Sequence, residues 1–340
     1  MQMKTVYYIV LLLFISISCA RSDGKVEFIH DEANTRIEVF INDNFFTSFF
    51  YPDDSEKPVL YPILTASGKE ITRGYPYDPR PFERVDHPHH VGLWLNFGNV
   101  NGLDFWNHSF RVRPEDKHRF GSIRFREVIS ENPGRNKLVV GSDWIDINNS
   151  VLLNEETTFV FCERDGVRSI ERTSKLIAAQ DVTFIGDKEG LLGLRVHRVF
   201  EEPSERPLRI LDARGNLPDE PMVYNEGKNG VYRNADGHIG GEVWSKRSPW
   251  VALSAVKDGE VITIAIFDKK SNPYYPAWSH ARGYGLFAVN NLGGRGMHPD
   301  EEDVEIKLSP GESISFTHLI VIGGEKSDEE LNAIAESFNK

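Results

Sequence analysis

The stretch Asp86-His87-Pro88-His89-His90-Val91-Gly92-Leu93-Trp94 runs on through Asn99-Val100-Asn101-Gly102-Leu103-Asp104-Phe105-Trp106. Three of the chain's 11 histidines fall here within four residues, beside an Asp, and Trp and Asn side chains follow. A solvated loop has little use for Trp, and a core has little use for adjacent imidazoles. The mixture points to a polar, aromatic-lined concavity. Alternation sharpens this reading. As a strand, 89–96 puts His89, Val91, Leu93 and Leu95 on one face and His90, Gly92, Trp94 and Asn96 on the other. The first face reads as core and the second as ligand-facing. His90 is then the functional imidazole and His89 a hydrogen-bonded core histidine. The competing reading has all three histidines satisfying buried backbone groups.

Outward from this stretch, segments of strand character recur at short spacing with turn residues between them. Thr35–Ile41 alternates through Ile37, Val39 and Ile41, with Asp31–Asn34 as a hairpin turn before it. Val59–Thr65, Gly121–Ile129, Lys137–Ile147, Thr157–Cys162, Val182–Ile185 and Leu191–Phe200 follow. Trp250–Val256, Val261–Phe267, Tyr284–Asn290, Val304–Leu308 and Ser313–Ile322 complete the series, and Gly and Pro punctuate the gaps. Glu201–Asn234 reads as a long loop. The one convincing helix is terminal: Ser327 caps it, Glu330 completes a capping box, and Leu331, Ile334, Ala335 and Phe338 form one apolar stripe. That stripe is expected to pack on a sheet edge. Many strands with one late helix predict an all-β fold, a large antiparallel β-sandwich with a short C-terminal helix, over residues 25–340 as one domain.

Two further clusters carry polar chemistry. In a strand over 190–197, Leu192, Leu194 and Val196 share one face, while Gly193, Arg195 and His197 share the other, kept open by the glycine. Glu189 sits at the turn entering it, so a carboxylate, a guanidinium and an imidazole come together. That set suits polyol or carboxylate recognition, and Glu with His suits acid–base work. A surface Arg–Glu pair is the plainer reading. The second cluster, Asn272 to Gly285, interleaves rings with Trp278, His280, Arg282 and Tyr284. Rings that stack on sugar faces beside directional donors are what a sugar site uses. The plainer reading is an aromatic-rich loop over the end of the sandwich.

Met1–Ser18 has one Lys and an apolar run, Val6–Ile17, too short to span a membrane and laid out as a signal peptide. Ser16-Ile17-Ser18-Cys19 resembles a lipoprotein cleavage box, with 19–24 as spacer and a lipid on Cys19 as the membrane attachment. This predicts an exported cell-envelope protein, or a secreted one if cleavage is ordinary. Removal of 1–18 takes only Lys4 from 39 Lys and Arg against 51 Asp and Glu, so the net charge moves from −12 to −13. Such a chain is a poor partner for nucleic acid or an anionic membrane surface, and it fits a neutral ligand. No phosphate-binding loop, dinucleotide fingerprint or HExxH is present, and no cofactor is expected. A metal on Asp86, His87 and His89 is the alternative, weakened because adjacent strand residues point apart.

At these stretches the chain resembles a family of secreted bacterial proteins labelled "methane oxygenase PmoA". The shared residues are Asp86-His87-Pro88-His89-His90 with Gly92-Leu93-Trp94, then Val100-Asn101-Gly102 with Asp104-Phe105-Trp106. Glu189-Gly190 with Gly193-Leu194-Arg195 follows, then His280-Ala281-Arg282-Gly283-Tyr284-Gly285-Leu286-Phe287, and Gly241, Trp244 and Trp250 also fall in the pattern. Ser279 and Asn291-Leu292 depart from it. The methane-oxidising subunit of that name is built from transmembrane helices, and this chain has no such run after its leader, so the label does not describe its chemistry. The resemblance implies a sandwich similar to the galactose-mutarotase-like supersandwich, and a carbohydrate ligand.

The reading is a carbohydrate-active envelope protein that hydrolyses, eliminates or epimerises a glycan or sugar. His90 or His280 with Glu189 form the acid–base set. Trp94, Asn101, Asp104, Trp106, Arg195, His197, Trp278, Arg282 and Tyr284 bind substrate. The alternatives are a non-catalytic glycan-binding lipoprotein and a metal-binding envelope protein centred on Asp86–His90.

Overall fold

The computed structural model describes residues 24–340. The expected leader, Cys19 and nearly all of the spacer lie outside them. The alternation read at 93–96 is what the structure shows. In β5 (Leu93–Phe97), Leu93, Leu95 and Phe97 enter the main core, whereas Trp94 belongs to a separate apolar cluster on the other face. The strand starts later than the predicted 89–96, however. Residues 89–92 form a turn in which Gly92 has φ +54°, and a Cβ there would fall 2.2 Å from the Leu60 carbonyl oxygen. Val91 consequently packs with Trp94, not in the core.

Around β5 an antiparallel eight-stranded sheet is built from β1 (Val26–Asp31), β2 (Arg36–Ile41), β3 (Asn44–Phe50), β4 (Val59–Ile63), β5, β11 (Gly190–Arg195), β16 (Leu286–Asn290) and β15 (Trp278–Arg282), in that order. A second antiparallel eight-stranded sheet runs β12 (Val231–Asn234), β13 (Trp250–Lys257), β14 (Glu260–Asp268), β18 (Ser313–Gly323), β9 (Val167–Ala178), β8 (Val151–Arg164), β7 (Lys137–Ile145), β6 (Ser122–Asn132). The strands β10 (Val182–Ile185) and β17 (Glu305–Leu308) pair beside them. The two large sheets close on one apolar core, with Phe46 edge-on to Phe161 at 6.0 Å and Phe49 6.0 Å from Phe159. The fold is the all-β sandwich that the alternation predicts.

Besides the one-turn α1 (Gly294–Met297), the helix α2 (Asp328–Phe338) ends the chain, opened by the Ser327–Glu330 capping box. It packs on the outer face of the second sheet and not on an edge. Leu331, Ile334 and Ala335 cover Trp250, Ala252, Ala265, Phe267, Leu319 and Val321. The apolar stripe seeks the widest apolar surface, which is the sheet centre.

Strand β9 escaped the sequence reading because its inward face carries Arg168 and Arg172 between Ile170 and Leu176. Arg172 is matched inside the sandwich by Glu155 at 3.1 Å, which also accepts from Trp144 Nε1 at 2.8 Å and Thr157 Oγ1 at 2.6 Å. Removing that carboxylate strands a buried guanidinium and two donors. We expect Glu155→Ala to lower the unfolding free energy by about 3–5 kcal/mol, read from urea denaturation, and Glu155→Gln to cost less. Equal, small effects of both would show that the pair carries no such weight.

Candidate functional site

The loop before β5 is organised by arginines. Arg73 is buried, and its fork collects backbone carbonyls: Nη1 donates to Asp86 O at 3.0 Å, and Nη2 to His87 O and His90 O, both at 2.9 Å. The Asp86 carboxylate then bridges two guanidiniums through Oδ1, Arg73 Nη1 and Arg195 Nη2 each at 2.9 Å. Its Oδ2 lies 3.2 Å from His87 Nδ1 and 3.5 Å from Arg84 Nη1. Burial pushes this carboxyl up, but Arg195, His87 and Arg73 outweigh it and hold it well below the usual carboxylate range. Arg84 in turn pairs with Glu201 at 2.8 Å, and Lys228 meets the same carboxylate at 3.0 Å.

Upon this frame the rings form a continuous row. Tyr284 stacks on His87 (5.1 Å, 4°), His87 on His90 (4.9 Å, 3°) and His90 on Trp94 (5.3 Å, 19°). Trp94 meets Trp106 at 5.2 Å, Trp106 stacks on His280 (5.7 Å, 17°), and His280 meets Trp244 edge-on at 5.0 Å. Register explains the middle. Trp94, Gly193, Ala288 and His280 stand opposite one another across β5, β11, β16 and β15. Two small residues between two rings leave a trough, and Trp106, arriving from the loop after β5, fills it. Gly193 therefore does not keep the face open, because the trough that it and Ala288 leave is filled. A Cβ at 193 would fall 2.4 Å from the Trp94 ring.

The buried imidazoles are neutral at pH 7. His280 Nδ1 donates to Gly190 O at 3.2 Å, which leaves Nε2 as the lone-pair nitrogen. Burial, first of all, lowers its pKa to about 3. His90 Nδ1 accepts from Arg195 Nη1 at 3.3 Å, so its proton sits on Nε2, which has no partner among the described residues. Burial, then His89 and Arg195, push His90 well below the ordinary histidine range. Trp106 Nε1 and His89 Nε2 are likewise buried without a partner. The half-buried rim consists of His87, Tyr284, Trp244 and Arg282, the last lying with its guanidinium carbon 3.4 Å from the Trp244 ring centroid.

The structure thus brings His90, Trp94, Trp106, Arg195, His280, Arg282 and Tyr284 together. Trp94 and Trp106 are 0% exposed, so they build the floor and present no stacking face. Arg195, also 0% exposed, orders Asp86 and His90. His89 is half-buried beside His87 and His90, outside the core where it was expected. Glu189, half-buried at the entry to β11, is paired with Lys188.

Other residues are placed elsewhere. His197 does not stand beside Arg195, because β11 ends there. It caps the turn Arg198–Phe200, its Nδ1 accepting from Val199 N at 3.2 Å. Asn101 is exposed in a turn at φ +52° and spends its amide on Asp181 O and Thr183 N. Asp104 holds Asn107 through both its backbone N–H and its side chain. Trp278 shares a face with His280 but stacks on His298 at 6.4 Å. The metal alternative is also corrected. Among the described residues no three His, Cys, Asp or Glu side chains are grouped to hold a metal, since Asp86 is spent on arginines and the His87 and His89 rings lie 73° apart.

Sequence reasoning missed Arg73, Arg84, Lys57 and Glu202. Lys57 donates to His89 O at 2.6 Å, sits 5.2 Å over Trp94, and is lowered to about 7, mainly by burial. Glu202 lies along Gly283, where a Cβ would fall 2.2 Å from its Oε2, and burial raises its carboxyl. None belongs to a local pattern; Trp244 alone had a signal, in the family resemblance.

The strands and their ring-lined face define an antiparallel β-sandwich protein with a cluster of aromatic and charged side chains on one sheet. The chain belongs to the Family of unknown function (DUF6807), whose model matches residues 36–336 and carries no methane-oxygenase label. No curated protein matches it. Among solved structures it is similar to an alpha-galactosidase from Geobacillus stearothermophilus (12% identity, TM-score 0.38, covering 92% of this chain and 42% of that one). It is also similar to the galactosidase domain of an alpha-galactosidase–sucrose kinase (10%, 0.38, 92% and 43%). A galactose mutarotase-like protein from Lactobacillus casei is similar too (11%, 0.33, 87% and 99%). The chain spans less than half the length of the two galactosidase structures.

Two outcomes are expected. Gly193→Ala should displace the Trp94 indole and cost about 1–3 kcal/mol, visible as a changed near-ultraviolet dichroism with a lower urea midpoint; an unchanged signal would contradict the trough. Between the folded value of about 3 for His280 and an unfolded value of about 6.5, only the unfolded chain binds that proton. Stability therefore rises with pH across this window and is lost on acidification. His280→Asn should flatten the slope of stability against pH there, and an unaltered slope would refute the neutral buried imidazole.

Proposed function

We propose that this chain is a carbohydrate-active protein whose ligand binds at the rim formed by His87, Tyr284, Trp244 and Arg282. The row of rings carries this reading: it ends in a half-buried indole and guanidinium beside an oriented, neutral imidazole. Rings supply the apolar contact a sugar face needs, and the flanking polar groups supply direction. His280 is the residue proposed to accept a proton, since Nδ1 is spent on Gly190 O and Nε2 carries the lone pair. Glu189, half-buried at the entry to β11 and paired with Lys188, is the carboxyl proposed to work with it. His90, wedged between His87 and Trp94 and bonded to Arg195, supports the site from beneath.

Proton NMR of the protein with a panel of glycans and sugars tests this. Hydrolysis, elimination and epimerisation all change the anomeric region, and saturation transfer in the same tubes reports binding. We expect turnover of at least one sugar, reduced about 10²–10⁴-fold in His280→Gln with the fold retained. Undiminished turnover in that variant would remove His280 from the mechanism. Saturable binding with no product would make the protein a glycan binder, and silence in both channels would overturn the reading.

A further inference from the structure

We propose that the sugar recognised here is anionic and that Arg282 receives its carboxylate. This rests on the carbohydrate reading above and adds the substrate class to it. The other arginines of this face are matched: Arg73 and Arg195 share Asp86, and Arg84 is held by Glu201. Arg282 differs. It is half-buried, yet among the described residues its guanidinium has no hydrogen bond and no carboxylate within ion-pair distance; it lies over the Trp244 ring at 3.4 Å. Glu202, against the backbone of the next residue, does not reach it. A guanidinium stacked on an indole and given no acceptor by the protein is free to take one from a ligand. The indole fixes its plane, and a fixed fork matches a carboxylate through two parallel hydrogen bonds. Trp244 meets both Arg282 and His280, so a carboxylate bound there stands beside the base.

Behind the rim Arg73, Arg84 and Arg195 are matched by Asp86 and Glu201, so in a chain whose net charge is −12 the unpaired guanidinium on this face is Arg282. Such a protein repels anions at a distance, so attraction has to be local. A planar, two-pronged acceptor fits this site better than a tetrahedral sulfate ester.

The test compares methyl uronides of the common hexoses with the matching neutral methyl glycosides and their 6-sulfates, by saturation transfer and calorimetry on the intact protein. We expect a uronide to bind about tenfold or more tighter than its neutral counterpart. Arg282→Gln should collapse that ratio towards one, and Arg282→Lys, which keeps the charge but not the fork, should retain part of it. Equal binding of uronide and neutral glycoside, or a ratio untouched in Arg282→Gln, would overturn the assignment while leaving the carbohydrate reading standing. Preference for the sulfate would overturn the carboxylate. Failure of every sugar to bind would instead remove the reading beneath it.

Discussion

The carboxylate of Asp86 holds together three parts of the chain that are far apart in sequence. Through Arg73 it fixes the carbonyls of the loop before β5, through Arg195 it fixes β11, and through Arg84 it reaches Glu201 at the start and Lys228 near the end of the long excursion. Without it, Arg73 and Arg195 would face each other as buried like charges. Burial and then Arg195 already lower Arg73 to about 9. Removing one partner of a buried ion cluster typically costs about 3–5 kcal/mol. The stacked imidazoles depend on this carboxylate, because His87 and His90 take their positions from the carbonyls that Arg73 gathers.

Much of the fold was legible because side-chain period and burial agree. Leu93 and Leu95 against Trp94, and Leu192 and Leu194 against Gly193 and Arg195, divide between core and site as alternation requires. Legibility failed where charge entered the core. Arg168 and Arg172 face inward on β9, balanced by Glu163 across the hairpin and by Glu155 on the neighbouring strand, so the inward face breaks the apolar alternation that would mark a strand. The site shows the same division. The ring-bearing strands announce themselves, but Arg73, Arg84 and Lys57 sit alone in sequence and act through backbone carbonyls and carboxylates supplied by other segments. His197 shows the converse error: an alternation extended past Arg195 gave it a place that the end of the strand withholds.

Trp106 gives the site a property the sheet alone would lack. The trough beneath it belongs to the scaffold, cut by Gly193 and Ala288, but the indole that fills it is delivered by a connecting loop and anchored through Asn96 to the Phe105 carbonyl. Depth is thus set by a segment that can change length or residue while the sandwich hydrogen bonding stays intact. Insertions there would reshape this face at little risk to folding, so a single framework can carry chemically different surfaces.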